Sequence, residues 1–171
     1  TAFEQDVRFM VEEARVHGIC VGGSTGEGHT LATDELRTLV ATAQKVSDNR
    51  IPVLAGVLVD STAAAIDRGK ALADLNVAAL LVTPVHYVFS TDDDSNLKFF
   101  ADIADATGIP VMIYNVIRWN RLEAPIVARI VNSVEGVIGV KQAMDLNLLA
   151  DLLPLMPDEG VVMSANAPLL L

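Results

Sequence analysis

The chain has 171 residues, 51% of them apolar and 20% charged, which excludes a disordered segment and gives enough apolar mass for one sizeable core. Twelve Lys and Arg stand against 22 Asp and Glu, a net charge of −10 that argues against a nucleic-acid surface and against docking on an anionic membrane. The single cysteine, Cys20, excludes an internal disulfide and reads as a buried core thiol.

Taken in chain order, the pattern alternates between amphipathic stretches and short apolar runs. Phe3–His17 carries Val7, Met10, Val11 and Ala14 on one helical stripe, with Gly18 as its stop. Ile19–Gly23 is an apolar run. Thr33 is placed to cap a helix to about Val46, with Asp34 and Glu35 in the first turn, where the dipole favours acids. The run Ile51–Val59 follows, then an Ala-rich helix opened by Ser61 and reaching about Leu75. Val77–Pro84 is the third run. Ser95–Thr107 is a helix ended by Gly108 and blocked by Pro110. After the run Ile109–Val116, Pro125 suits the first turn of a helix through Val131. Val137–Val140, a helix over Asp145–Leu153 and the run Gly160–Ser164 complete the pattern. The runs are rich in Val and Ile and lack polar alternation, so they predict parallel strands buried on both faces.

Strand starts recur at roughly 25–30 residues, the length of one βα unit. Two architectures satisfy this: a doubly wound open sheet and a (β/α)8 TIM barrel. No apolar run approaches the ~20 residues that span a bilayer. No leader pattern or lipid-anchor motif is present, so a cytoplasmic protein is expected. The chain opens on Thr1 and closes on Leu169-Leu170-Leu171, so both ends read as cut from something longer.

Polar residues cluster just after the strands. Ser24-Thr25-Gly26-Glu27 follows the first and Thr83 to Tyr87 the third. Tyr114 and Asn115 end the fourth, Lys141 and Gln142 the fifth, and Ser164 and Asn166 the sixth. In parallel α/β folds those ends converge on the face where ligands bind. Lys141 is the most informative of the four lysines, because it sits in Val137-Ile138-Gly139-Val140-Lys141 rather than on an amphipathic helix. Burial disfavours an ammonium, and a neutral amine attacks carbonyls. The ordinary alternative is a lysine that reaches a rim or pairs with an acid. Tyr114 is either a core aromatic or a phenol that moves protons beside an amine. Gly22-Gly23-Ser24-Thr25-Gly26-Glu27-Gly28 is either a tight turn or a donor-rich loop for an anion, and it lacks the P-loop and dinucleotide spacings. His17 and His29 read as surface residues, His86 lies beside the predicted pocket, and the three histidines show no metal-ligand spacing.

Jointly, Gly23-Ser24-Thr25-Gly26-Glu27, Thr83-Pro84, Tyr114-Asn115-Val116 and Gly139-Val140-Lys141-Gln142 resemble the dihydrodipicolinate synthase / N-acetylneuraminate lyase family in motif, order and spacing. The resemblance implies a (β/α)8 barrel of a class I aldolase, commonly a homotetramer, of which residues 1–171 would be one partial domain holding strands two to seven. It implies a Schiff base between Lys141 and pyruvate or another 2-oxo acid, with an aldehyde as second substrate and no metal or organic cofactor. Tyr114 would be the general acid/base, with Ser24 in the same relay. Thr25 and the turn at Gly23 would hold the pyruvate carboxylate.

The acceptor side departs from the family. Ile117 stands where a Pro is usual. Trp119 stands where the synthases carry an acceptor-binding Arg, with Arg118 one residue early. Val85 and His86 replace two tyrosines, of which the second reaches a neighbouring subunit; His86 or Tyr87 would take its place. Ser164-Ala165-Asn166-Ala167 replaces a Gly-Asp pattern, which puts Ala165 and Asn166 in the acceptor pocket. These changes imply an acceptor less acidic, and more aromatic or apolar, than that of the synthases. The alternatives are a 2-keto-3-deoxy sugar acid aldolase or dehydratase, a true dihydrodipicolinate synthase, and a 2-oxo-acid-binding relative without catalysis.

Overall fold

A computed structural model describes residues 1–143 and 146–165. Helices and strands alternate: α1 (Ala2–Glu12), β1 (Ile19–Val21), α2 (Thr33–Ser47), β2 (Val53–Val57), α3 (Thr62–Lys70), β3 (Ala79–Val82), α4 (Asp93–Thr107), β4 (Val111–Asn115), α5 (Ala124–Ser133), β5 (Val137–Gln142), α6 (Leu146–Leu152) and β6 (Val161–Ser164). Short 3-10 turns at Arg118–Asn120 and Leu153–Leu155 lie beside α5 and after α6.

All six strands are parallel and stand in sequence order, β1-β2-β3-β4-β5-β6. A doubly wound sheet reverses its order at a switch point. This sheet never does, so the open-sheet alternative falls and six-eighths of a (β/α)8 barrel remains. The helices lie on one face of the sheet, α1 against α2, and α3, α4, α5 and α6 each against the next. The main core lies between the two layers, where Ile19, Val21, Val53, Ala55, Val57, Leu80, Val82, Val111 and Ile113 meet Leu36, Val40, Phe100, Ile103, Ile126 and Ile130. Burying such side chains stabilises by about 1.5–3 kcal/mol each before the entropy cost of ordering them. The other face, the inner wall of the half-barrel, carries a smaller cluster of Leu58, Leu81, Met112 and Tyr114, with Leu54, Val116 and Ile138 against it.

Four local expectations are corrected. Helix α1 ends at Glu12, not at Gly18, because Arg15 takes the left-handed conformation at φ 51° and Val16 N–H closes on Met10 O at 3.1 Å. Ala32, not Thr33, is the N-cap of α2, and the Glu35 carboxylate takes its N–H at 2.9 Å. Helix α3 stops at Lys70, and the chain passes residues 71–75 in tight turns. Cys20 is exposed rather than buried, because it alternates with Ile19 and Val21 and so points to the uncovered inner face. Ser61 caps α3 as expected, accepting from Ala64 N–H at 3.2 Å. The expected start of α6 at Asp145 lies outside the described residues.

Candidate active site

The strands present alternate residues to the inner face, and this places Tyr114 and Lys141 together. On β4, Met112 and Tyr114 point inward, while Val111, Ile113 and Asn115 face the helices. Strict alternation on β5 from Val137, which faces the helices, would turn Lys141 to the helices as well. It does not, because the register shifts: Val111 pairs with Val137, but Met112 pairs with Gly139. The extra residue, Ile138, inverts the parity of the rest of β5, as a β-bulge does beside an active site. Val140 and Gln142 therefore face the helices, and Lys141 faces inward in register with Tyr114. Gly139 allows this irregularity. A Cβ there would stand 2.0 Å from the Val161 carbonyl oxygen on β6.

Lys141 is half-buried and Tyr114 is 5% exposed. The lysine Nζ lies 4.4 Å from the centre of the phenol ring, within cation–π range. Among the described residues no carboxylate forms an ion pair with Lys141, so the alternative of a lysine paired with an acid is not met. Met163 of β6 is its other neighbour in register. The wall of the sheet desolvates the Cys20 thiol and pushes its pKa up, although the residue faces solvent, and the charge of Lys141 pulls the other way.

The glycine-rich turn after β1 is tightly packed. Gly22 is left-handed at φ 71°, and its carbonyl is wedged between two other glycines. A Cβ on Gly28 would lie 1.7 Å, and one on Gly56 2.0 Å, from the Gly22 oxygen. Tight packing thus demands these glycines. The turn closes by Glu27 N–H to Ser24 O and Gly28 N–H to Gly23 O, both 3.1 Å. Among the described residues the N–H groups of Ser24, Thr25 and Gly26 donate to no acceptor, and the Ser24 and Thr25 side chains are exposed. Such a turn offers hydroxyl and amide donors to an anion.

Behind the lysine, Asn115 is fully buried and joins three elements. Its amide donates to Leu122 O at 2.8 Å and to Gln142 Oε1 at 2.9 Å, and its Oδ1 accepts from Leu122 N–H at 3.1 Å. This network fixes the C-terminal ends of β4 and β5, the two strands that carry the pair.

His86 and Trp119 meet, with the indole Nε1 donating to His86 O at 2.7 Å, and the Asn120 amide donating to Val85 O. Trp119 is otherwise 64% exposed. Tyr87 is 72% exposed and makes no hydrogen bond by its hydroxyl among the described residues. Arg118 lines a groove together with Trp119, Ser90, Thr91, Asn96 and Arg121. Ala165 is exposed beyond β6, its N–H donating to Gln142 O at 2.9 Å, and Asn166 lies outside the described residues. One residue escaped the sequence reading: Asp60, just past β2, receives the His86 N–H at 3.0 Å. Its signal was available, an acid at the only strand end for which no polar residue was singled out.

The family model described as the dihydrodipicolinate synthetase family matches residues 1–167. A 4-hydroxy-tetrahydrodipicolinate synthase of Exiguobacterium sibiricum is 33% identical over 175 residues, covering 96% of this chain and 56% of the relative. One from Thermodesulfovibrio yellowstonii is 34% identical over 169 residues, covering 96% and 57%. Among solved structures, the dihydrodipicolinate synthase of Acinetobacter baumannii complexed with pyruvate superposes with a TM-score of 0.88 at 26% identity, covering 95% of this chain and 56% of that one. The chain thus spans a little over half the length of the curated relatives it matches.

Proposed function

The chain belongs to the dihydrodipicolinate synthetase family, and on that premise we propose that it carries the site of a pyruvate-dependent class I aldolase or lyase, working as a cytoplasmic homo-oligomer. One observation carries the reading: an amine with no acidic partner among the described residues, 4.4 Å above a phenol ring, on the uncovered face at the C-terminal ends of parallel strands. The relatives named as synthases, and a similar structure complexed with pyruvate, support the same chemistry.

In this reading the Lys141 amine adds to the C2 ketone of pyruvate. The carbinolamine loses water to give an iminium, which draws electrons from C3 when a C3 proton leaves. The resulting enamine attacks an aldehyde carbon. The aldehyde oxygen takes up a proton, and water releases a 4-hydroxy-2-oxo acid and the free lysine. Cleavage is the same path reversed. Tyr114 moves protons to and from the carbinolamine and the acceptor oxygen, with Ser24 in the relay. Thr25 and the free N–H groups around Gly23 bind the carboxylate.

The test is borohydride reduction of the protein with pyruvate, followed by peptide mapping, with Lys141→Ala as control. The expected result is a reduced pyruvyl adduct on Lys141, absent from the variant. A folded wild-type protein that gains no adduct would overturn the reading.

A second reading of the reaction, cleavage of a 2-keto-3-deoxy sugar acid, uses the same lysine. Trp119, at the place where the resemblance puts an acceptor-binding Arg for an acidic aldehyde, favours it over the synthase reaction. Product analysis after incubation with such sugar acids separates the two.

A further inference from the structure

Three loops converge on His86. From the loop after β2, the Asp60 carboxylate accepts the His86 backbone N–H at 3.0 Å and lies 3.2 Å from the ring Nδ1. From its own loop, the Pro84 carbonyl lies 3.2 Å from the same Nδ1. From the turn after β4, Trp119 and Asn120 donate to the carbonyls of His86 and Val85. The Pro84 carbonyl is the hydrogen-bonding acceptor at Nδ1 and the Asp60 carboxylate adds negative charge beside it, so in the neutral ring they together favour the proton on Nδ1. Nε2 is left as a lone-pair acceptor, and it has no partner among the described residues. The Thr83 hydroxyl stands 3.5 Å from Nδ1, and Thr83 follows β3 in phase with inward-pointing Leu81. The imidazole is therefore held at the inner rim, with one-fifth of its surface open.

An imidazole in this tautomer accepts a hydrogen bond and offers none from its open edge. It suits a hydroxyl and does not suit a carboxylate. We propose that His86, set by Asp60, recognises a hydroxyl of the acceptor, and that the acceptor is accordingly a hydroxyaldehyde rather than an acidic or wholly apolar one. This rests on the lysine–pyruvate reading above. In it Asp60 is a positioning residue, which acts only through the tautomer and orientation of His86.

The experiment compares D-glyceraldehyde with propanal as acceptors for pyruvate, after borohydride trapping has been run on each protein. The wild type is expected to give the Lys141 adduct and to favour glyceraldehyde in kcat/KM by about tenfold or more, the worth of one well-placed hydrogen bond. His86→Phe is expected to keep the adduct and bring the ratio close to one. Asp60→Asn is expected to bring it part of the way. The ratio is internal to each protein, so a loss of folded material does not move it. An adduct in the wild type with no preference for glyceraldehyde overturns the proposal, as does a preference that survives His86→Phe. Absence of the wild-type adduct overturns instead the lysine reading on which it stands.

Discussion

Tyr114 and Lys141 are register partners on neighbouring strands, and both leave the sheet on its uncovered side. The phenol ring contributes a π face to the lysine and, in the proposed function, a hydroxyl to the chemistry, and the two roles separate in one variant. Tyr114→Phe keeps the ring. Its melting temperature is expected to stay within a few degrees of wild type, while kcat falls about 10²-fold or more, the usual worth of a general acid/base. Steady-state kinetics beside a thermal melt checks this. An unchanged kcat would remove Tyr114 from the proton path.

The bulge on β5 makes a prediction about stability and chemistry at once. Gly139→Ala sets a methyl group 2.0 Å from the Val161 carbonyl oxygen, a contact no side-chain adjustment relieves. Backbone must shift, at a cost of about 1–3 kcal/mol, or roughly 2–10 °C in melting temperature. Because β5 carries the lysine, pyruvate trapping on Lys141 is expected to fall as well. A variant that melts and traps like the wild type would refute the packing argument.

Asn115 offers a sharper contrast than a simple truncation. Asn115→Ala leaves the Leu122 N–H and C=O and the Gln142 Oε1 without their partner, at about 1–3 kcal/mol for each buried group left unsatisfied. Asn115→Asp keeps the shape but exchanges a donor for a charge facing two acceptors. Denaturant titration is expected to rank the aspartate variant below the alanine one. The reverse order would show that the amide is not oriented as described.

The Arg37–Asp74 pair ties α2 to the turn after α3, with Arg37 Nη2 2.6 Å from Asp74 Oδ2 and Nη1 2.6 Å from Ala71 O. The guanidinium holds the Asp74 carboxyl below the usual carboxylate range. A depressed folded pKa contributes stability above the unfolded value and loses it as pH falls through the folded one. Wild type is therefore expected to melt above Asp74→Asn at pH 7, with the gap closing below about pH 4. High salt should narrow it, since the pair is exposed. A gap that persists in acid would mean the carboxyl acts other than by charge.

Cys20 reports on the lysine. Desolvation raises its pKa and the Lys141 charge lowers it, so Lys141→Ala is expected to slow alkylation by iodoacetamide at pH 8. Unchanged or faster labelling would mean the two groups do not sense one another.

The sequence carried the alternation of strands and helices because each run is a local signal, ended by Gly, Pro or a capping residue such as Ser61. It carried the candidate site as a set of strand-end residues, among them Tyr114 and Lys141, which the fold sets side by side. Three features stayed out of reach. The inward turn of Lys141 depends on the pairing of Met112 with Gly139, a relation between strands that no single-strand pattern expresses. The exposure of Cys20 follows from which face the helices cover, whereas its flanking residues argue only for burial. The end of α1 depends on Arg15 adopting a left-handed turn three residues before the glycine expected to supply it.

The strictly sequential strand order also sets a timetable for assembly. Each strand needs only a neighbour made just before it, so loops are closed over short spans and the sheet can grow as the chain leaves the ribosome. By the time Lys141 emerges, the turn at Ser24, the histidine loop and Tyr114 have all been synthesised, on strands already able to pair. Lys141 is thus synthesised after Ser24, His86 and Tyr114, and it joins a sheet edge whose earlier strands are already in place to receive β5.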